Sequence, residues 1–141
     1  MRFRVRKSAH VLERVGLAMA GAACGLFVSA HVGSSISYLT SQGFLLLMML
    51  AGAVGFYLGI DTPQKPFHAE VDPGDPAAGI DIAEFLSAVG TFFATLTAFF
   101  SVGIIILRSE PHIVWTILIG LGWTIGIVMQ IIAGAIARSR T

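Results

Sequence analysis

Long apolar stretches alternate with short polar segments along this chain. Four stretches approach the about 20 apolar residues that a membrane-spanning helix needs: Val15–Tyr38, Phe44–Ile60, Ile82–Leu107 and Ile113–Ala137. Glu84, near the start of the third stretch, is the only Asp, Glu, Lys or Arg within them. The pattern predicts an all-α integral membrane protein with four transmembrane helices, and residues 1–141 form a single membrane domain.

The polar segments between these stretches predict how the helices are connected. Thr40–Gly43 and Arg108–His112 are short enough for tight turns, so each is expected to join two antiparallel helices into a hairpin. Asp61–Asp81 is longer and contains four of the five prolines of the chain. Because proline interrupts helices, residues 61–81 are predicted to form an acidic, proline-rich loop between the two hairpins.

The positions of the basic residues predict an orientation in the membrane. Five of the nine Lys and Arg residues lie within Met1–Arg14, Lys65 lies in the long loop, and Arg138 and Arg140 follow the last helix. With four spans, these eight fall on one side and only Arg108 falls on the other. The positive-inside rule makes the basic side cytoplasmic. We therefore expect a multi-pass protein of the inner (cytoplasmic) membrane with both termini in the cytoplasm.

Composition agrees with a membrane location and excludes several classes of function. Hydrophobic residues make up 55% of the chain and charged residues 12%, whereas soluble domains have roughly 25% charged residues. The net charge of +1 gives no reason to expect a nucleic-acid partner. Cys24 is the only cysteine, so an internal disulfide is excluded, and no Cys/His cluster indicates a metal site.

The first helix also resembles a signal peptide. Val28-Ser29-Ala30 before His31 has the small residues of a signal-peptidase site. Apolar residues resume after Ala30, and a second helix follows after a tight turn. We therefore expect residues 1–30 to remain uncleaved.

Small residues recur at helical spacing and predict close helix packing, which is how membrane helices associate. The predicted packing residues are Gly21, Gly25, Ser29, Gly33, Gly55, Gly59, Gly122, Gly126, Gln130 and Gly134. Within this set Gln130 is predicted to make an interhelical hydrogen bond. Whether all the rows face inward, or one faces a second copy of the chain, is left open.

Polar residues in the apolar stretches are the candidates for transport. The candidate path contains His31, Glu84, Ser87, Thr91 and Ser101. The structural alternatives are that Asp81 and Glu84 form a helix capping box and that the hydroxyls bond their own backbone four residues back.

The direction of His31 follows from helix geometry. It lies about 200° around the helix from Ser29, at roughly 100° per residue. It is therefore expected not to face the neighbour of the glycine row, but to point to lipid headgroups or to a partner protein.

No nucleophile with its base and no phosphate-binding loop is found in the sequence, so we expect neither enzymatic activity nor a cofactor. The favoured hypothesis is a non-enzymatic subunit or assembly component of a membrane complex or homo-oligomer. Its partners would be the lipid bilayer and either further copies of itself or another membrane protein. The alternative is a small transporter or ion channel with a hydroxyl-lined path.

Overall fold

Four α-helices account for nearly all of the described chain. A computed structural model of the protein describes residues 2–59 and 82–140, and the side chains from residue 8 onward. The helices are α1 (Arg2–Ser35), α2 (Gln42–Gly59), α3 (Ile82–Ile106) and α4 (Ile113–Ser139), with a short 3-10 helix at Ser37–Leu39. Residues 60–81, which contain the predicted loop, lie outside the described residues.

The prediction of four helices long and apolar enough to cross a membrane is confirmed. The candidate spans are Ser8–Ser35, Gln42–Gly59, Ile82–Ile106 and Ile113–Ser139. The largest difference from the prediction is in α1, which begins at Arg2 instead of Val15. The segment before Val15 contains no glycine or proline and is rich in good helix formers, so the helix continues through it.

α1 ends at a change in backbone direction. Ile36 has an extended conformation, with φ −124° and ψ 107°, and the 3-10 helix follows. The Thr40 hydroxyl donates to the Gly33 carbonyl at 2.9 Å, which fastens the connection back onto α1. The Ser41 hydroxyl then accepts from the Phe44 amide at 3.1 Å, satisfying one of the free amides at the start of α2.

The connection between α3 and α4 is closed by a Schellman motif. The Arg108 amide donates to the Ile105 carbonyl at 3.2 Å, and the Ser109 amide donates to the Ile104 carbonyl at 3.1 Å. This motif requires a left-handed residue after the helix, usually glycine. Here that residue is Arg108, with φ 50°, a conformation that costs a non-glycine residue about 1 kcal/mol.

The start of α4 is capped by a side chain. His112 Nδ1 accepts a hydrogen bond from the Val114 amide at 3.3 Å. Sequence reasoning did not assign this role to His112, since serine, threonine, aspartate and asparagine are the usual caps.

Glycines allow the helix backbones to touch at two crossings. A Cβ atom built on Gly21 of α1 would overlap the carbonyl group of Gly52 on α2. A Cβ atom on Gly90 of α3 would lie 2.6 Å from the carbonyl oxygen of Gly126 on α4. Both distances are too short for any side chain, so each crossing requires glycine. In lipid, where apolar burial does not drive association, such contacts supply much of the packing energy.

The apolar core lies between the four helices and is centred on Trp123, which is 2% exposed. The same buried cluster contains residues from all four helices: Val28, Val32, Met48, Phe56, Ala94, Ala98, Ile119 and Ile127. The large apolar side chains on the outer surfaces are exposed, as expected for helices that face lipid.

Replacing Gly21 by alanine is expected to destabilise the bundle by about 1–3 kcal/mol, because the added methyl group overpacks the α1–α2 crossing. Gly16 provides a matched control on the same helix, since a Cβ atom there meets nothing within 4 Å. Unfolding in detergent, followed by circular dichroism, measures both. Equal stability of the G21A and G16A variants would contradict the observed crossing.

Candidate functional site

Two groups of buried or half-buried polar side chains make contacts between helices. The first, called here the Gln130 cluster, consists of Ser87, Thr91 and Gln130. The second is the pair formed by His31 and Thr116. Because polar groups are costly to place in a membrane interior, each group is a candidate for function as well as for structure.

The Gln130 cluster joins three helices. Gln130 on α4 is 1% exposed, and its Nε2 donates to Thr91 Oγ1 on α3 at 2.8 Å. The Ser87 hydroxyl donates to the carbonyl of Gly59, the last residue of α2, at 3.1 Å. The structure thus contains an interhelical hydrogen bond from Gln130.

One polar atom in this cluster is left without a partner. Among the described residues, the buried Gln130 Oε1 accepts no hydrogen bond. Gly55 of α2 lies next to it, and a Cβ atom there would be 3.0 Å from Oε1. A larger residue at position 55 would therefore displace the amide.

The remaining hydroxyls of α3 bond their own helix. Ser101, fully buried, donates to the Thr97 carbonyl at 2.8 Å, and Thr97 donates to the Phe93 carbonyl at 2.8 Å. Thr91 likewise donates to the Ser87 carbonyl at 2.7 Å. These bonds match the structural alternative considered for the hydroxyls, in which each satisfies itself within the helix.

His31 lies inside the bundle. It is 2% exposed, and its Nε2 is 3.3 Å from Thr116 Oγ1 on α4. The expectation that His31 points to lipid headgroups was therefore wrong. The glycine row of α1 does face a different neighbour, α2, but α1 is in contact with α4 on the side where His31 lies. The expectation assumed one buried face on α1, but a helix with two neighbouring helices has two buried faces.

Next to this pair is a polar opening, called here the His31 cavity. It has a volume of about 610 Å³ and lies between the ends of α1 and α3 and the start of α4. Its polar lining is formed by His31, Ser34, Ser35, Arg108, Ser109, Glu110 and Thr116. Such a volume is within the range of small-molecule sites.

The two polar groups are separated by the core. Thr116, Trp123 and Gln130 follow one another at intervals of seven residues on α4, and all three are buried. Trp123 and its apolar neighbours Ile119 and Ile127 fill the interval between the polar ends. Thr116 and Gln130 are about 21 Å apart along the helix at 1.5 Å per residue. The candidate path residues are thus divided between two places.

Glu84 and the other predicted packing residues lie at the following positions. Glu84 is half-buried in the first turn of α3, and its proposed cap, Asp81, lies outside the described residues. Gly25 lies against the Met48 carbonyl of α2, Gly33 near Leu39, Gly122 against Thr97 and Gly134 against Leu58; Ser29 is buried and donates to the Leu26 carbonyl.

Sequence reasoning missed several residues that build these sites. Gly52 and Gly90 supply one side of each close helix crossing, but neither was in a predicted row. Thr116 and the connection at Arg108 and Glu110 were also missed. A row of small residues indicates a packing face but gives no information about the residue that it meets.

The described residues offer no set of metal ligands: within 2–59 and 82–140, no three His, Cys, Asp or Glu side chains converge. Comparison with protein-family models, with curated proteins and with solved structures finds no match to this chain. Function is therefore argued from the geometry alone.

The hydrogen bond between Gln130 and Thr91 is expected to give a non-additive pair of mutations. Thr91→Val leaves the buried Gln130 amide without a partner and should lower stability by about 1–3 kcal/mol. Combining it with Gln130→Met removes both polar groups, so the double variant should be more stable than Thr91→Val alone.

Thr95→Val is the control for this cycle, since among the described residues the exposed Thr95 bonds only to its own helix, at the Thr91 and Phe92 carbonyls. Thermal unfolding in detergent gives the stabilities of the unmodified protein, Thr91→Val, Gln130→Met, the double variant and the control. Strict additivity of the two mutations would show that the amide and the hydroxyl do not interact.

Proposed function

We propose that this chain is a non-enzymatic, multi-pass protein of the inner (cytoplasmic) membrane. It acts through helix packing as a subunit or accessory component of a membrane complex or homo-oligomer. Two kinds of observation support the proposal: the way the small residues are used, and the character of the surface that they leave.

The small residues are largely used inside the bundle. Gly21 and Gly25 meet α2, Gly126 meets α3, and Gly134 meets α2. The interior is thereby filled by the chain's own helices. A binding surface for another protein has to be sought on the outside.

One exposed surface is unusually rich in aromatic side chains. We call it the phenylalanine face of α3, and it consists of Phe85, Phe92, Phe93, Phe99 and Phe100, all of them exposed. Phe92 and Phe99 are 60% and 73% exposed and lie two turns apart. Neighbouring rings form edge-to-face pairs with centroids 6.0 and 5.9 Å apart. Aromatic residues supply large contact areas at interfaces, so this face carries the proposal.

The proposed arrangement is two antiparallel hairpins with both termini in the cytoplasm. Two pairs of contacts, Gly21 with Gly52 and Gly25 with Met48, run in opposite chain directions. The corresponding contacts in the second pair of helices are Gly90 with Gly126 and Thr97 with Gly122. The positive-inside rule supports the orientation, since seven basic residues of the described chain lie in the first half of α1 or at the end of α4, opposite Arg108.

A small transporter is the second candidate function. It is favoured by the buried His31 beside a cavity and by the Gln130 cluster near the opposite end. Against it stands the core layer around Trp123, which separates the two. Transport would require this layer to move.

The proposed orientation predicts the outcome of cysteine labelling in a Cys24→Ala background. A membrane-impermeant maleimide should label Ser109→Cys in intact cells, because the connection between α3 and α4 is then outside. Ser139→Cys at the end of α4 should be labelled only after the membrane is opened. The reverse pattern would contradict the orientation.

The proposed assembly role predicts a stoichiometric partner, or a homo-oligomer, after gentle purification from native membranes. The double variant Phe92→Ala and Phe99→Ala should lose it, because both exposed rings would be removed from the contact. Leu46→Ala and Leu50→Ala on α2 provide the control, since these side chains are similarly exposed.

A different result would favour the transporter. If the purified protein has no partner and conducts ions in liposomes, and if Thr91→Val abolishes this flux, the assembly proposal is wrong.

A further inference from the structure

We propose that the His31 cavity binds a zwitterion with a primary ammonium group and a phosphate a few bonds apart, the chemistry of a phosphoethanolamine headgroup. This group occurs in phosphatidylethanolamine lipids and in soluble glycerophosphoethanolamine. The site is independent of the assembly role proposed above.

Helix ends give the cavity a positive side. α4 begins at Ile113, which lines the cavity, and the first turn of a helix carries a partial positive charge, although His112 Nδ1 already accepts from the Val114 amide. Arg108 lines the same cavity, and its guanidinium group can bind two phosphate oxygens at once. An anionic group is therefore favoured on the side of α4.

The end of α1 favours a cation in the same cavity. α1 ends at Ser35, and the last turn of a helix carries a partial negative charge. The hydroxyls of Ser34 and Ser35 both donate to the His31 carbonyl at 2.9 Å. Because their hydrogens are engaged, their oxygens are left to accept, and an ammonium group is a donor of three hydrogen bonds.

Glu110 adds a full negative charge to the lining. Arg108 and Glu110 are two residues apart, yet within the described part of the chain neither has a salt-bridge partner. Two opposite charges that share one cavity without pairing match a ligand that carries both charges. A simple anion or a simple cation would leave one of them without a partner.

The floor and walls fit the uncharged part of such a ligand. His31 and Thr116 close the cavity on the side of the core, where Nε2 and Oγ1 are 3.3 Å apart. Ile104, Ile105 and Ile113 form apolar walls, against which a glycerol or acyl segment can pack. The cavity volume of about 610 Å³ is large enough for a headgroup with part of its glycerol.

The full-length protein, delipidated in detergent, is the material for the test. Native mass spectrometry measures the binding of dioleoyl phosphatidylethanolamine, phosphatidylcholine and phosphatidylglycerol at equal concentrations. Phosphatidylethanolamine should bind about tenfold more tightly than the other two, since one has no N–H donor and the other has no ammonium group.

Arg108→Gln and Glu110→Gln should each weaken phosphatidylethanolamine binding about tenfold, because each removes a charged hydrogen-bonding group. Arg140→Gln and Glu13→Gln are the matched controls, since both lie in exposed positions on other helix segments, and they should bind like the unmodified protein. Melting temperatures establish that the variants are folded; Arg108 and Glu110 are themselves exposed, so their replacement should leave the fold intact.

Soluble glycerophosphoethanolamine distinguishes the two sources of the ligand. Competition with the lipid would identify the headgroup alone as sufficient, and lack of competition would identify the lipid as the ligand. Equal binding of all three lipids, or unchanged binding by both charge variants, would overturn the proposal.

Discussion

The structure depends on the direct contact of helix backbones at glycine. In lipid, apolar side chains gain nothing by leaving one hydrocarbon environment for another, so helices are held together by close packing and by hydrogen bonds. At Gly21 and Gly52, and again at Gly90 and Gly126, the distance between two helices is too short for a side chain. These crossings set the positions of the other contacts. Between the two pairs of helices, α1 meets α4 where His31 lies beside Thr116.

Polar groups in the bundle are subject to the same constraint, since each needs a hydrogen-bond partner within the protein. Several hydroxyls on α3 donate to the backbone of their own helix, as Ser101 and Thr91 do. Where helices cross closely, polar groups also bond between helices, as Gln130 does with Thr91 and as Ser87 does with Gly59. Close packing and polar contacts therefore occur together. Gly55 on α2 is next to the Gln130 amide oxygen, and Gly90 on α3 is next to Gln130 Cγ and the Gln130 backbone nitrogen, so Gln130 occupies the space that a side chain at either position would need.

The sequence alone predicted the four helices well, because a run of apolar residues long enough to cross a membrane has few other stable structures. Helix ends were predicted less well, since α1 extends through polar residues that neither require nor prevent a helix. The predicted direction of His31 was wrong because the direction of this side chain depends on how many helices α1 contacts. That number is set by contacts between distant residues such as His31 and Thr116, and no local pattern encodes it. The cavity could not be predicted either, because it forms where the end of α1 meets the connection between α3 and α4, which lies far from it in the sequence.

The seven-residue spacing of Thr116, Trp123 and Gln130 links the two ends of the bundle mechanically. These residues lie on one continuous helix, so they cannot be moved independently. A rotation of α4 about its axis that withdraws Thr116 from His31 also turns Gln130 away from Thr91 and swings the Trp123 ring out of the core. A rotation of α4 that starts at the His31 cavity would thus also displace Gln130, about 21 Å away. The Trp123 indole lies midway between the two polar contacts on α4.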